Sequence, residues 1–207
     1  ILLAGLILVF GRRGGNVLIH IAVGLLMLGQ FAFGDRQIEE RMALVEGQTS
    51  TMALRTDETE LAVIGPADGD QESVTAISGR LLKARVGGPP IVAAGLPFDV
   101  DVISYFPNSD VIRVGPVAPN PATTGLGRSW LASDKAPEGG ASSRTNIASA
   151  YVRLRARATG VELGTFLVSQ FLNDQAQLFM GGNPDEMDTV EVDGTPYRLQ
   201  LRFRREY

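Results

Sequence analysis

Cysteine is missing from all 207 residues. That excludes disulfides, zinc–thiolate centres and thiol catalysis together. Any folded domain is held by its core alone, and any thiol redox partner must lie elsewhere. Histidine is nearly missing too, since His20 is the only one. A multi-histidine metal site is therefore excluded, as is a serine–histidine–carboxylate triad anywhere away from position 20. Charge is scarce at the start: Arg12 and Arg13 are the only charged residues before Asp35. The other 17 of 19 basic residues and all 23 acidic residues follow, a net of -6 in a chain of net -4. A nucleic-acid binder needs a basic face, so nucleic acid is not an expected partner.

What the first 34 residues do contain is apolar. From Val17 to Phe33 there is no charge, and His20 and Gln30 are the only strongly polar side chains. As a helix this run spans roughly 25 Å, close to the hydrocarbon thickness of a bilayer. Residues 1–10 form a second apolar run, separated by Gly11-Arg12-Arg13-Gly14-Gly15. The pattern predicts the end of a preceding transmembrane helix over 1–10, a tight basic turn, and a transmembrane helix over 16–34 in a lipid bilayer. A buried soluble helix and the apolar core of a signal peptide are the alternatives. No small-residue cleavage signal follows Phe33. The two arginines are expected on the cytoplasmic side, which puts residues 35–207 outside. The chain begins within an apolar run and stops on YRLQLRFRREY, so it is expected to be a piece of a longer protein.

Residues 35–207 read as mainly β. Strand-like runs occupy 51–56, 60–65, 73–86, 98–106, 150–158, 162–172, 188–193 and 197–205. Turn chemistry separates them at Gly65-Pro66, Gly87-Gly88-Pro89-Pro90, Pro107-Asn108 and Asp193-Gly194. Asp193-Gly194 between two alternating runs predicts a hairpin. In YRLQLRFRR, residues Tyr197, Leu199, Leu201 and Phe203 fall on one face of a strand, with Arg198, Gln200, Arg202 and Arg204 on the other. The expected fold is a sandwich-like, antiparallel β domain behind the membrane segment. Residues 115–147 are rich in Pro, Gly, Ser and Ala, show no strand or helix period, and carry the only tryptophan, Trp130. They predict a long loop.

Few motifs suggest chemistry. GLG at 125–127 lacks the rest of a phosphate-binding loop and reads as a turn. DGDQE at 68–72 lacks the further ligands of a calcium loop. Glu39 and Glu40 read as solvated. His20 is different, because an ionisable group inside a membrane segment is costly and points to function. His20, Gly24, Met27 and Phe31 share one helical face. Gly24 has no side chain, so a flat group can approach the backbone beside the imidazole. Neutral imidazole suits haem iron, and an apolar wall suits a porphyrin. Hydrogen bonding of His20 to a neighbouring helix is the competing reading. Met27 is a possible second soft ligand in principle and more simply a packing residue. His20 lies seven residues beyond Arg13, roughly 10 Å along a helix, in the cytoplasmic part of the membrane.

These features together resemble the ResB family of cytochrome c biogenesis proteins. GGNVLIHIAVGLLMLGQFAFG (14–34) is similar to that family's membrane segment with its histidine. MALVEGQT (42–49) is similar to its element just outside the membrane. LPFDVDVISYFPNSDV (96–111), TGVELGTFLVSQFL (159–172) and DGTPYRLQLRFRREY (193–207) resemble its later strands. The resemblance implies a haem-handling membrane subunit working with a multi-helix, ResC-like protein in the bacterial cytoplasmic (inner) membrane. The pair would deliver haem to the outer face for thioether attachment to the Cys-x-x-Cys-His of apocytochrome c. The resemblance also implies haem ligation at an inner membrane site, and His20 is the matching position. Such a chain is not an enzyme on its own but part of a cytochrome c synthase complex. The family's further membrane helices do not match here, and the 115–147 loop is longer than the family's. The alternative function is a non-catalytic, membrane-anchored β scaffold with no haem ligation.

Overall fold

The computed structural model describes residues 2–34, 40–42, 44, 46, 47, 49–51, 53–67, 71–115, 119–137, 146–173 and 188–206. Two compact units divide the chain, Ile1–Glu39 and Glu40–Tyr207.

The first unit is helical. Helix α1 (Leu2–Phe10) runs into a 3-10 turn at Gly11–Arg13, and α2 (Gly14–Phe33) follows. Leu, Ile, Ala and Met favour helix, and no proline interrupts either run. Gly11 breaks the continuity: its φ of 56° lies in the left-handed region, where a side chain is strained. That break brings α1 into contact with α2. At the far end the Gly34 N–H donates to the Gln30 carbonyl, closing the last turn. α2 has 20 residues and is long and apolar enough to cross a membrane. The predicted break and the predicted full-length helix are both present, with α2 beginning at Gly14 instead of position 16.

The second unit is mainly β and antiparallel. Its elements are β1 (Glu40–Arg41), β2 (Ala53–Pro66), β3 (Glu72–Ser78), α3 (Gly79–Ala84), β4 (Phe98–Phe106) and β5 (Ser109–Arg113). They continue with β6 (Trp130–Asp134), β7 (Ser149–Ala156), β8 (Glu162–Ser169), β9 (Thr189–Val192) and β10 (Thr195–Glu206). One sheet has the order β1-β2-β10-β9, with β3 also on β2; a second has the order β4-β7-β8; β5 and β6 form a two-stranded ribbon.

Alternation in β10 builds the first sheet as the pattern requires. Leu199 and Leu201 enter the core and Tyr197 packs against it. The opposite side chains Arg198, Arg202 and Arg204 pair with Glu72, Glu60 and Glu58. The main core joins Leu61, Val63, Leu199 and Leu201 of the first sheet to Phe98, Val100, Val152 and Phe166 of the second. Burial of each such side chain stabilises by roughly 1.5–3 kcal/mol. Phe98 meets Tyr197 edge-on, with ring centroids 5.6 Å apart and planes at 85°, a favoured aromatic geometry linking the two sheets.

Along β7 and β8 the second sheet carries buried side chains on both faces. Tyr151 and Leu167 point away from the main core into a smaller one with Ala132, Ala122 and Leu172. β6 is pinned there, because the Ala132 N–H donates to the Tyr151 hydroxyl at 2.9 Å. Trp130 packs edge-on against Phe171 at 5.6 Å.

Several sequence expectations change. The runs 51–56 and 60–65 join in one strand, β2, because Glu58 in the supposed break at 57–59 is neutralised by Arg204 and Arg80. The run 73–86 is a strand followed by a short helix. Ser78 caps that helix by accepting from the Leu81 N–H, and Gly79 sits where a Cβ would collide with Thr59 and Tyr105. The expected 115–147 loop contains a 3-10 turn at Leu126–Ser129 and strand β6. Its period was hidden because β6 is short and pairs with β5 alone. The Asp193-Gly194 hairpin is present: Val192 pairs with Thr195, and φ is 51° and 77° at the two turn residues, as a type I′ turn needs.

Candidate functional site

His20 lies on α2, six residues after Gly14, roughly 9 Å along the axis. Its Nδ1 is 2.8 Å from the backbone carbonyl oxygen of Asn16, one turn earlier. A carbonyl only accepts, so Nδ1 carries the proton and donates. In the neutral ring this leaves the lone pair on Nε2, the tautomer a metal ligand requires. The imidazole is exposed. A Cβ added at Gly24 would meet no atom within 4 Å. Met27 and Phe31 are 69% and 88% exposed. The predicted face is therefore assembled on one continuous helix and is open. In chemical terms this is a single imidazole donor beside apolar side chains, a set whose chemistry is compatible with a haem iron. No group of three or more His, Asp or Glu able to hold a metal ion occurs among the described residues, and with one histidine in the sequence this helix offers a single imidazole ligand.

The β unit has its polar groups engaged with one another. Glu58 is 8% exposed and accepts from Arg204 at 2.9 Å and from Arg80. Arg55 lies 3.3 Å from the same carboxylate. Glu60 accepts from Arg202 at 2.9 Å, both side chains being almost buried. The β2–β10 ladder shifts register beside these residues, between Phe203 and Arg204. A cleft of about 260 Å³ opens there, lined by Asp57, Glu58, Arg80 and Tyr105 among others. Arg55 holds the Asp57 carboxyl below its ordinary value through their hydrogen bond. Burial pushes the Tyr105 hydroxyl up, partly offset by its 2.7 Å hydrogen bond with Thr59. Every charge in this cleft has an opposite partner.

Three buried serines form a row: Ser109 to Ser149 at 2.7 Å, and Ser149 to Ser169 at 2.8 Å. Ser109 also donates to the Ile147 carbonyl. These hydroxyls tie the ends of three strands together, and their hydrogen bonds reach no histidine, lysine or carboxylate, so no activated nucleophile arises.

Among the described residues, Asp188 is the acid that burial shifts most. Burial raises its pKa to about 6, partly offset by the Leu126 N–H, which donates to Oδ1 at 2.7 Å. The carboxylate thereby caps the 3-10 turn at Leu126, behind Gly125, where φ is 70° and a Cβ would strike the carboxylate. This confirms GLG as a turn. Sequence gave no signal for Asp188, which reads as the ordinary polar end of a strand. Of DGDQE, residues 68–70 lie outside the described residues, and Glu72 pairs with Arg198. Glu39 also lies outside them; Glu40 belongs to β1. Trp130 is a half-buried packing residue.

No family model, curated protein or solved structure matches this chain. The functional reading therefore rests on the residues themselves.

Proposed function

We propose that the chain is a ResB-like membrane subunit of a haem transport and cytochrome c assembly complex. In this reading α2 crosses the bacterial cytoplasmic membrane, and residues 35–207 lie on the extracytoplasmic side as a β-sandwich of two stacked sheets. His20 would hold the haem iron through Nε2 in the inner half of the bilayer. A multi-helix, ResC-like partner would hold the haem together with this chain, and apocytochrome c would receive it outside. Haem itself brings the iron and the vinyl groups that become thioethers. This chain holds and orients the haem, and the absence of cysteine keeps it from competing for those vinyl groups.

The observation that carries the proposal is the Nδ1–H···O=C bond from His20 to Asn16. It commits one ring nitrogen to the helix and aims the other away from it. Inside hydrocarbon an unsatisfied polar nitrogen costs several kcal/mol, so Nε2 demands a partner.

The alternative is a scaffold in which Nε2 accepts a hydrogen bond from a neighbouring helix. The self-paired polar groups of the β unit favour a non-catalytic role for that unit in either case. The readings separate when the full-length complex is purified with His20 intact and with His20→Ala. Haem ligation predicts a loss of bound haem and of cytochrome c maturation in the variant. Unchanged haem content and unchanged maturation would remove the ligand role and leave the scaffold.

A further inference from the structure

We infer that the cleft between the β5–β6 ribbon and the 3-10 turn at Leu126–Ser129 binds an organic anion carrying two carboxylates. The inference is independent of the haem reading.

The cleft encloses about 630 Å³, within the range of small-molecule sites and far larger than one inorganic ion needs. Two of its lining residues are Arg113 and Arg128, both exposed. Eight other arginines of the β unit, Arg55, Arg80, Arg153, Arg155, Arg157, Arg198, Arg202 and Arg204, each lie against a carboxylate; Arg85 and Arg205 do not among the described residues, but neither lines this cleft. Arg113 and Arg128 have no acidic partner among the described residues. No acid lines the cleft, and the neighbouring residues 116–118 are Pro, Val and Ala, which bring no charge. Asp188 stands behind Gly125, with Oδ1 committed to the Leu126 N–H.

The backbone carrying the two arginines is held firmly. Arg113 is in register with Trp130 on the facing strand, and the Val114 N–H donates to the Ser129 carbonyl at 2.9 Å. Asn120 clamps the turn from inside. Its Nδ2 donates to the Gly127 and Trp130 carbonyls at 2.8 and 3.0 Å, and its Oδ1 accepts from the Ala122 N–H at 3.0 Å. Asn120 is thus spent on structure, and the arginines supply the free donors. Guanidinium forks bind carboxylates in bidentate fashion, and Val114 and Ala122 offer apolar contact to the carbon frame between two such groups. A free dicarboxylate and a pair of acidic side chains on a peptide share this chemistry.

Trp130, the only tryptophan, makes the test direct. The full chain in detergent is titrated with succinate, citrate, a Glu-Ala-Glu peptide, inorganic phosphate and neutral succinamide, with tryptophan emission and calorimetry read in parallel. The expected result is saturable binding of the carboxylates and none of succinamide. Stronger binding of succinate or citrate identifies a small-molecule site, and stronger binding of the peptide identifies a peptide site. Arg113→Gln and Arg128→Gln should each weaken binding about tenfold or more, with Arg113→Lys in between. Unchanged emission and unfolding midpoints in the free variants show that the fold is intact. No saturable binding of any carboxylate, or equal affinity in both glutamine variants, overturns the inference. So does phosphate binding as tightly as the dicarboxylates.

Discussion

The two units treat polar groups in opposite ways. In the β unit, nearly every buried polar side chain ends on a partner within the fold: Glu60 on Arg202, Ser149 on Ser109 and Ser169, Asp188 on the Leu126 N–H. Arg153 Nε is the exception among the described residues, buried without a hydrogen bond and 3.6 Å from Asp101. On α2 the single imidazole uses one nitrogen on its own helix and leaves the other outward. Self-paired groups specify a structure, whereas a half-paired group in an apolar segment calls for something outside it. The β unit therefore reads as architecture around one small cationic cleft, and α2 as the place where the chain meets a cofactor or another helix.

The contrast can be broken first on the architectural side. Phe166 is 1% exposed in the main core. Phe166→Ala should destabilise the β unit by about 3–5 kcal/mol in urea unfolding, with His20 and the haem content of any surviving folded protein unaffected. Next, Glu60→Ala leaves the Arg202 guanidinium almost buried and unpaired, at a cost of about 3 kcal/mol. The double change Glu60→Leu with Arg202→Met should recover much of that loss, because the desolvated charge is gone. If both proteins unfold at the same urea concentration, the pair is not the buried ion pair described here.

A smaller effect comes from pH. Asp188 titrates near 6 in the folded chain and near its ordinary value of about 3.9 when unfolded. The folded state thus holds the proton more tightly, so the contribution is fully present below about pH 4 and is lost as pH rises through 6. A two-unit shift corresponds to about 3 kcal/mol at most. Asp188→Asn keeps an acceptor for the Leu126 N–H and should flatten stability between pH 4 and 7. A variant with the parent's slope would assign that slope to other groups. The smallest effect is expected from His20→Ala on the unfolding of the β unit, within about 0.5 kcal/mol.

Much of this was legible in the residues. The period-2 alternation from Tyr197 to Arg204 placed Leu199 and Leu201 inward, and Asp193-Gly194 announced its hairpin. The uncharged run around His20 announced α2. What stayed hidden depended on contacts distant in sequence. Residues 57–59 looked like a strand break because Arg204, which neutralises Glu58, lies 146 residues away. β6 hid in a Gly- and Pro-rich segment because a five-residue strand has too few alternations to stand out. Asp188 became notable only when the fold closed over it, and the placement of Arg113 and Arg128 in one cleft without an acidic lining emerged only with the β5–β6 pairing. The face of His20 was visible beforehand; the hydrogen bond that selects its ring nitrogen was not.

The central claim is that His20 Nε2 binds haem iron, and the most direct measurement is chemical rescue. His20→Gly removes the imidazole from the full-length complex while leaving the apolar wall of α2 in place, and imidazole is then added during expression and purification. The account predicts that haem content and its absorption spectrum fall in the variant, and that both return toward the parent values with added imidazole. A His20→Gly complex that keeps the parent spectrum without imidazole would contradict it.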